Sequence, residues 1–471
     1  MLKNRTIVIG AALVGAVLSG VLIWDWNHTP STFGLRLAAS GANPKANLRL
    51  LSPGILSIAL ESGNTGGAGL ALQGDGTIVV GATMVVSASA SARGVVLRLT
   101  SNGRLANPAV TLLADAETIV SGVSTARDGA IVVFGYGSPG LLSNRHFILA
   151  RLLPNGALDP GFGGGGVVLA NMRSSMAVGE AARAVAIQSD DRIVVTGSAG
   201  YATGPLSQGS YCATARFSRD GRFDRSFGDN GRVLTLVAEK QMCGGSSVLV
   251  ASDGKIVVAG DYASEREPRH IAVLRYLPDG APDHPFGRDG IAPLLQMSAN
   301  ARGAALDSQG RIVIVGTERL SLSTTKFLVV RYDTDGNLDQ SFGANGTVSL
   351  HEEGGHYYEE LVATALGQDG KIVAVGRTRA PEPGKRNQIA VVKLDPNGAL
   401  DKSFVGGGLL LMASPRYLWI GRGIAIQPDG KLLIVGNTFD EANDRASAIL
   451  LVRLNPDGTP DADFGSGVDS P

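Results

Sequence analysis

Net charge is the first thing this chain lacks. Lys plus Arg and Asp plus Glu both number 42 in 471 residues. With no basic surplus to displace counterions, nucleic acid is not an expected partner. The same balance argues against an acidic solvating tail. Aromatic residues make up only 5 %, and histidines number six. No Gly-x-Ser-x-Gly elbow occurs, so nucleophilic hydrolysis has no visible support. The glycine run Gly163–Gly166 is not followed by the Lys-Ser/Thr of a phosphate loop. No cysteine stands near Ser19-Gly20, which excludes a lipoprotein anchor. Helices are not supported either: β-branched residues dominate, and Gly or Pro punctuates the chain at strand-length intervals, roughly every 8–15 residues.

Glycine is what the chain has in excess, 64 residues, about twice the usual ~7 % share. Without a collagen period this means many tight turns. One uncharged run stands out, Thr6 to Trp24, 19 residues. As a helix it would span roughly 28 Å, close to a bilayer's hydrocarbon core. Lys3 and Arg5 precede it and Asp25 follows, which places the N-terminus inside and the rest outside. The run is longer than a typical cleaved signal's, so an uncleaved anchor is the preferred reading and a cleaved signal the alternative. Either way the remainder is exported. The expected organisation is a membrane anchor or signal segment at 1–26, a tether at 27–45 and a repeat domain at 46–471.

The repeat is a tight turn followed by an apolar run. Its turn position is held by Gly76, Gly129, Asp191, Gly254, Gly310, Gly370 and Gly430, at intervals of 53 to 63 residues. A second turn follows each copy, at Gly103, Gly156, Gly221, Gly280, Gly336, Gly398 and Gly458. Three and six residues after all but the first of these stand an Asp and a Phe: Asp159 and Phe162, Asp224 and Phe227, Asp283 and Phe286, Asp339 and Phe342, Asp401 and Phe404, Asp461 and Phe464. Five residues before each second turn stands a cation, Arg98, Arg151, Arg216, Arg275, Arg331, Lys393 or Arg453. A feature present in every copy is structural by default. These cations are expected to pair with the Asp of the second turn and lock the third strand to the next corner.

Each unit reads as four strands, and seven units of four strands predict an all-β, seven-bladed β-propeller behind one N-terminal transmembrane or signal helix. The strand before the first turn has one small face: Gly69, Gly122, Ala184, Ser247, Gly303, Ala363 and Gly423. Small residues suit a crowded inner edge where neighbouring units converge. The last copy runs out of chain before its fourth strand, so part of residues 47–60 is expected to supply it beside Ala448–Leu454 and hide the open edges.

The pattern "QxDGKIVVVG…ARLxPDGxLDxSFGxxG", clear in Gln368-Asp369-Gly370-Lys371-Ile372 and in Asn337-Leu338-Asp339-Gln340-Ser341-Phe342-Gly343, resembles the delta-60 repeat family. The resemblance covers about residues 46–471. It departs at the first copy, at Val405 after Phe404, and at Asp190-Asp191 in place of Asp-Gly. It implies a propeller fold and export, and no chemistry.

Function should break the repeat's symmetry. Eight residues before the first turn stand Ala68, Ser121, Arg183, Ser246, Arg302, Val362 and Arg422, arginine in copies three, five and seven only. On the face opposite the short turns, these guanidinium groups could fork onto a carboxylate or phosphate, with His351 and His356 at the rim. The competing expectation is that each pairs with a nearby carboxylate, Glu180 beside Arg183 for instance. Variable loops at Gly197–Ser210, Arg377–Gln388, and His351–Glu360 with Tyr357 and Tyr358 are expected on that face. No cofactor is expected; a metal ion on His351, His356 and adjacent carboxylates is the alternative, although the spacing is not that of H-E-x-x-H. Asp333 to Asp339 reads as a turn rather than a calcium loop. Cys212 and Cys243 are expected to form a disulfide, the first at the start of a third strand and the second in the connection leaving the fourth.

The leading functional expectation is a binding module at the cell envelope, taking an anionic small molecule, polymer or protein on its variable-loop face. A metal-dependent hydrolase or lactonase-like propeller is the first alternative, and a structural spacer the second.

Overall fold

The computed structural model describes residues 45–468 except 62, 87–91, 112–116, 139–144, 173–178, 205–206, 238–240, 265–268, 294, 296, 322, 352–357, 380–386, 415–416 and 441–444. The uncharged run at 6–24 and nearly all of residues 27–45 lie outside the described residues, as do His356 and Tyr357. Among the described residues no helix is long and apolar enough to cross a membrane.

The described chain is built of antiparallel β-sheet, with a single short 3-10 turn at Val405–Gly408. Each repeat begins with a strand that hairpins through its Asp-Gly turn into a second, as in Tyr358–Leu366 onto Ile372–Arg379, and a third follows, Gln388–Leu394. The turn glycines take positive φ, for example 78° at Gly370. Asp191, which replaces one of them, takes the same region at 66°, a conformation Asp tolerates better than most residues. Both turns of a repeat lie together: a side chain on Gly370 would stand 3.4 Å from Pro396 of the second turn.

First strands pack in sequence order, and the last, Leu418–Ile426, packs back on the first, Gly63–Leu72. The small face makes this possible. A Cβ placed on Gly69 would lie 3.1 Å from the Gly122 Cα, one on Gly303 3.0 Å from the Ala363 Cα, and one on Gly423 3.6 Å from the Gly69 Cα. The apolar core is accordingly divided into clusters that straddle neighbouring repeats, such as Val313, Val315 and Val329 with Ala374, Ala390 and Val392.

Closure through the N-terminal segment occurs as expected. Ile55–Leu60 pairs antiparallel with Arg445–Leu454, Ile55 opposite Val452 and Ile58 opposite Ile449. A further strand, Ala46–Ser52, covers its outer edge, so the last repeat carries one strand more than four. The fourth repeat carries one fewer. Its outer segment is reduced to an isolated bridge between Leu274 and Ile291, because Pro293, two residues on, has no N–H to extend the ladder.

The recurrent cation is a latch between repeats. Arg216, Arg275, Arg331 and Arg453 bond Asp224, Asp283, Asp339 and Asp461 through Nε at 2.7, 2.7, 2.8 and 2.6 Å. A terminal nitrogen of each donates to a carbonyl in the second turn of the following repeat, Pro278, Thr334, Pro396 and, from last back to first, Ser101. Beneath the guanidinium lies the Phe, 4.2 Å away for Arg275 over Phe286. That ring fills the space a side chain would need on the next repeat's turn glycine, Gly336, at 2.8 Å. In the first repeat, which lacks the Phe, the Arg98 side chain itself lies against Gly156 and bonds Gln73. Asp333 forms the expected turn, accepting from the backbone N–H groups of Asp335 and Asn337.

Candidate functional site

Every first strand carries a β-bulge at the same place. Register breaks between Gly67 and Gly69, Val120 and Gly122, Ala182 and Ala184, Gly245 and Ser247, Ala301 and Gly303, Leu361 and Ala363, and Gly421 and Gly423. The residues skipped are Ala68, Ser121, Arg183, Ser246, Arg302, Val362 and Arg422. A bulge leaves its extra residue unpaired and re-aims its side chain. The symmetry-breaking arginines therefore sit where the first strands converge, at the end opposite the tight turns.

Arg302 reaches the next repeat and donates from Nε to Glu360 Oε1 at 2.8 Å. Arg377, the cross-strand neighbour of Glu360, holds the other oxygen at 3.0 Å and stacks over Tyr358, 4.9 Å to the ring centroid. Arg183 and Arg422 differ: among the described residues neither meets a carboxylate within ion-pair distance, and both remain exposed. Although both side chains stay exposed, the protein packed around them strips water from the guanidinium groups: this lowers the Arg183 pKa from its ordinary value, Arg302 and Arg269 pushing the same way against Asp261, and lowers that of Arg422, with Arg377 and Arg302 adding to it and Glu360 opposing. Each of the two outer arginines thus feels the charge of Arg302.

The expected Arg183–Glu180 pair does not form. Glu180 lies three residues before the bulge, buried between repeats, where its carboxylate accepts from the Met172 N–H at 2.8 Å and meets His146 at 3.4 Å. His351 is likewise drawn to the equivalent residue of its seam, Glu359, at 3.0 Å, and not to the arginines. Tyr358 does join the site, through Arg377. Among the described residues no group of three or more His, Cys, Asp or Glu could hold a metal ion.

The loop expected at Gly197–Ser210 is largely a long hairpin, Ile193–Gly204 paired with Ser207–Phe217. Cys212 therefore lies inside a third strand rather than at its start. Cys243 lies in the next repeat's first strand, Gln241–Val250, not in a connection. The disulfide forms across this seam, Cα atoms 4.8 Å apart.

Sequence reading missed Glu360, Arg377, Asp261 and Arg269. A signal was available. The residue after the glycine of the second strand is Ala82, Tyr136, Ser198, Asp261, Thr317, Arg377 or Asn437, charged only in repeats four and six.

A family model described as "Domain of unknown function (DUF5122) beta-propeller" matches residues 73–105, 126–162, 251–286, 308–342, 367–404 and 427–464. A comparison with curated proteins returned no match. Among solved structures, a PL25 polysaccharide lyase, an ulvan lyase bound to -[GlcA(1-4)Rha3S]-, aligns with TM-score 0.50 and 10 % identity over 86 % of this chain and 96 % of its own. A catalytically inactive virginiamycin B lyase from Staphylococcus aureus aligns with TM-score 0.48 and 10 % identity over 85 % and 99 %. Sqt1 from Chaetomium thermophilum aligns with TM-score 0.42 and 13 % identity over 87 % and 98 %. With six segments matched by a propeller model, and an all-β architecture shared with the ulvan lyase, the chain is a β-propeller repeat protein.

Proposed function

We propose that this protein is an exported, seven-bladed propeller of delta-60-type repeats that binds an anionic ligand at its axial mouth. Residues 6–24 hold it at the cell envelope or direct its secretion. The observation that carries the binding reading is the bulge ring. One backbone device leaves one residue of every first strand out of the ladder, three of these residues are arginines, and Arg183 and Arg422 lack a carboxylate partner among the described residues. Two or three guanidinium groups around one mouth suit a carboxylate, sulfate or phosphate group. The Cys212–Cys243 disulfide accords with an oxidising compartment.

The test is titration calorimetry with citrate, sulfate and polygalacturonate at low and high salt. The wild-type protein should bind at least one of them, more weakly as salt rises. Replacing Arg183, Arg302 and Arg422 together with Gln should abolish that binding while the melting temperature changes little. Unchanged binding by a folded triple variant would overturn the site. A stoichiometric metal in the purified protein would instead favour the hydrolase reading.

A further inference from the structure

We infer that the ligand of this mouth is a hydroxy acid: its acid group lies on Arg183, and a hydroxyl beside that group donates to the unpartnered oxygen of Asp261. The inference rests on the anion-binding reading above and narrows it.

Two seams of the ring use one geometry with different residues. At the seam from the fifth repeat to the sixth, the bulge arginine Arg302 crosses to the residue two before the next bulge, Glu360. The cross-strand partner of Glu360 is Arg377, which completes the clamp. At the seam from the third repeat to the fourth, the bulge arginine Arg183 also crosses to the residue two before the next bulge. That residue is Gly244: a Cβ there would meet Arg183 Nη1 at 3.2 Å. The cross-strand partner of Gly244 is Asp261. The sixth repeat brings its own carboxylate to the incoming arginine, whereas the fourth brings none in its first strand.

The second observation is a pair of unsatisfied polar atoms at this seam. Asp261 is 3 % exposed. Its Oδ2 takes Arg269, and among the described residues its buried Oδ1 has no partner. The Ser246 hydroxyl, on the adjoining bulge, is also without a partner among the described residues. Ser121, in the same position two repeats earlier, donates to the Ala182 carbonyl at 2.7 Å. Buried polar atoms are normally paired.

A plain anion satisfies Arg183 and Ser246 but is repelled by Asp261. An acid with a hydroxyl beside it satisfies all three: acid oxygens accept from Arg183 and Ser246, and the hydroxyl donates to Asp261 Oδ1. An ammonium beside the acid would meet Asp261 too, but it would enter among Arg183, Arg269, Arg302, Arg377 and Arg422, five cations against the carboxylates of Asp261 and Glu360. A neutral donor avoids that repulsion.

Three ring acids that differ at a single carbon test this on the intact protein: 1-hydroxycyclohexanecarboxylate, cyclohexanecarboxylate and 1-aminocyclohexanecarboxylate. Calorimetry should show the hydroxy acid binding about tenfold more tightly than the plain acid, the usual scale of a hydrogen bond to a charged group, and more tightly than the amino acid. Asp261→Ala should bring the hydroxy-to-plain ratio to about one, whereas Asp261→Asn, which keeps an acceptor oxygen, should retain the preference. Melting temperatures of both variants report whether the fold survives, and the wild-type ratio stands as a test by itself. If all three acids bind the wild-type protein equally, or the amino acid binds best, anion binding stands and this inference falls. If none binds while citrate, sulfate or polygalacturonate does, anion binding stands and this inference falls; if no anion binds, the anion-binding reading itself fails.

Discussion

At the scale of the residue, what repeats and what does not have different jobs. Asp224 shows the first kind. Burial by itself would raise its pKa, but bonds from the Ser226 hydroxyl and N–H, the charge of Arg216 and a bond from Arg192 bring it down to about 2. A carboxyl depressed in the folded state stabilises above its unfolded pKa, near 3.9, and loses that contribution as pH falls toward the folded value. Asp224→Asn should therefore cost ~2 kcal/mol at pH 7 and little at pH 2. Urea unfolding across pH 2–7 checks this, and an equal cost at both ends would refute it. These latch residues were legible in the chain because recurrence in six or all seven copies separates structure from accident. The arginines were legible for the opposite reason, as departures from it. Glu360 and Asp261 were not, because each matters only through a partner supplied by another strand or another repeat.

At the scale of the element, the bulge sets one residue of every first strand apart from the ladder. Its flanking positions decide how repeats are tied. Three residues before the bulge stand Glu180, Cys243 and Glu359, each joined to the preceding repeat, through His146, Cys212 and His351 respectively. The disulfide is thus one version of a tie that other seams make with an acid and a histidine. It closes a span of 31 residues, for which chain entropy suggests a stabilisation of about 3–4 kcal/mol. Replacing Cys212 and Cys243 with Ala should lower the melting temperature, and a reductant should do the same to the wild-type protein but not to the variant. A variant that melts with the wild type under non-reducing conditions would show that the bridge adds nothing. The pairing of these cysteines was readable from their number and the expected export. Their placement was misjudged because a hairpin that keeps pairing through Gly197–Ser210 looks like a loop when glycines interrupt its pattern.

At the scale of the whole molecule, stability depends on closing the ring. Ile55, Leu56, Ile58 and Leu60 are buried in the strand that joins first repeat to last. Removing residues 46–60 strips these side chains, worth on the order of 1.5–3 kcal/mol each, and opens two sheet edges. The truncated protein should melt far below the full chain or fail to fold; a matching melting curve would show that closure is made elsewhere. The missing outer strand of the last repeat, and the apolar excess before the first, were enough to expect this pairing from the chain alone. By itself the sequence determined the repeat, the strand order, the small inner face and the cation–aspartate latch, because each depends on spacing within one unit or between adjacent units. Only the tertiary structure decided that Ala46–Ser52 adds a strand to that sheet and that Glu180 turns away from Arg183. It alone aligned Arg302 with Glu360, and Arg183 with Gly244 and Asp261. Those outcomes depend on which atoms face each other across a seam, a distance and a direction that no periodicity along the chain encodes.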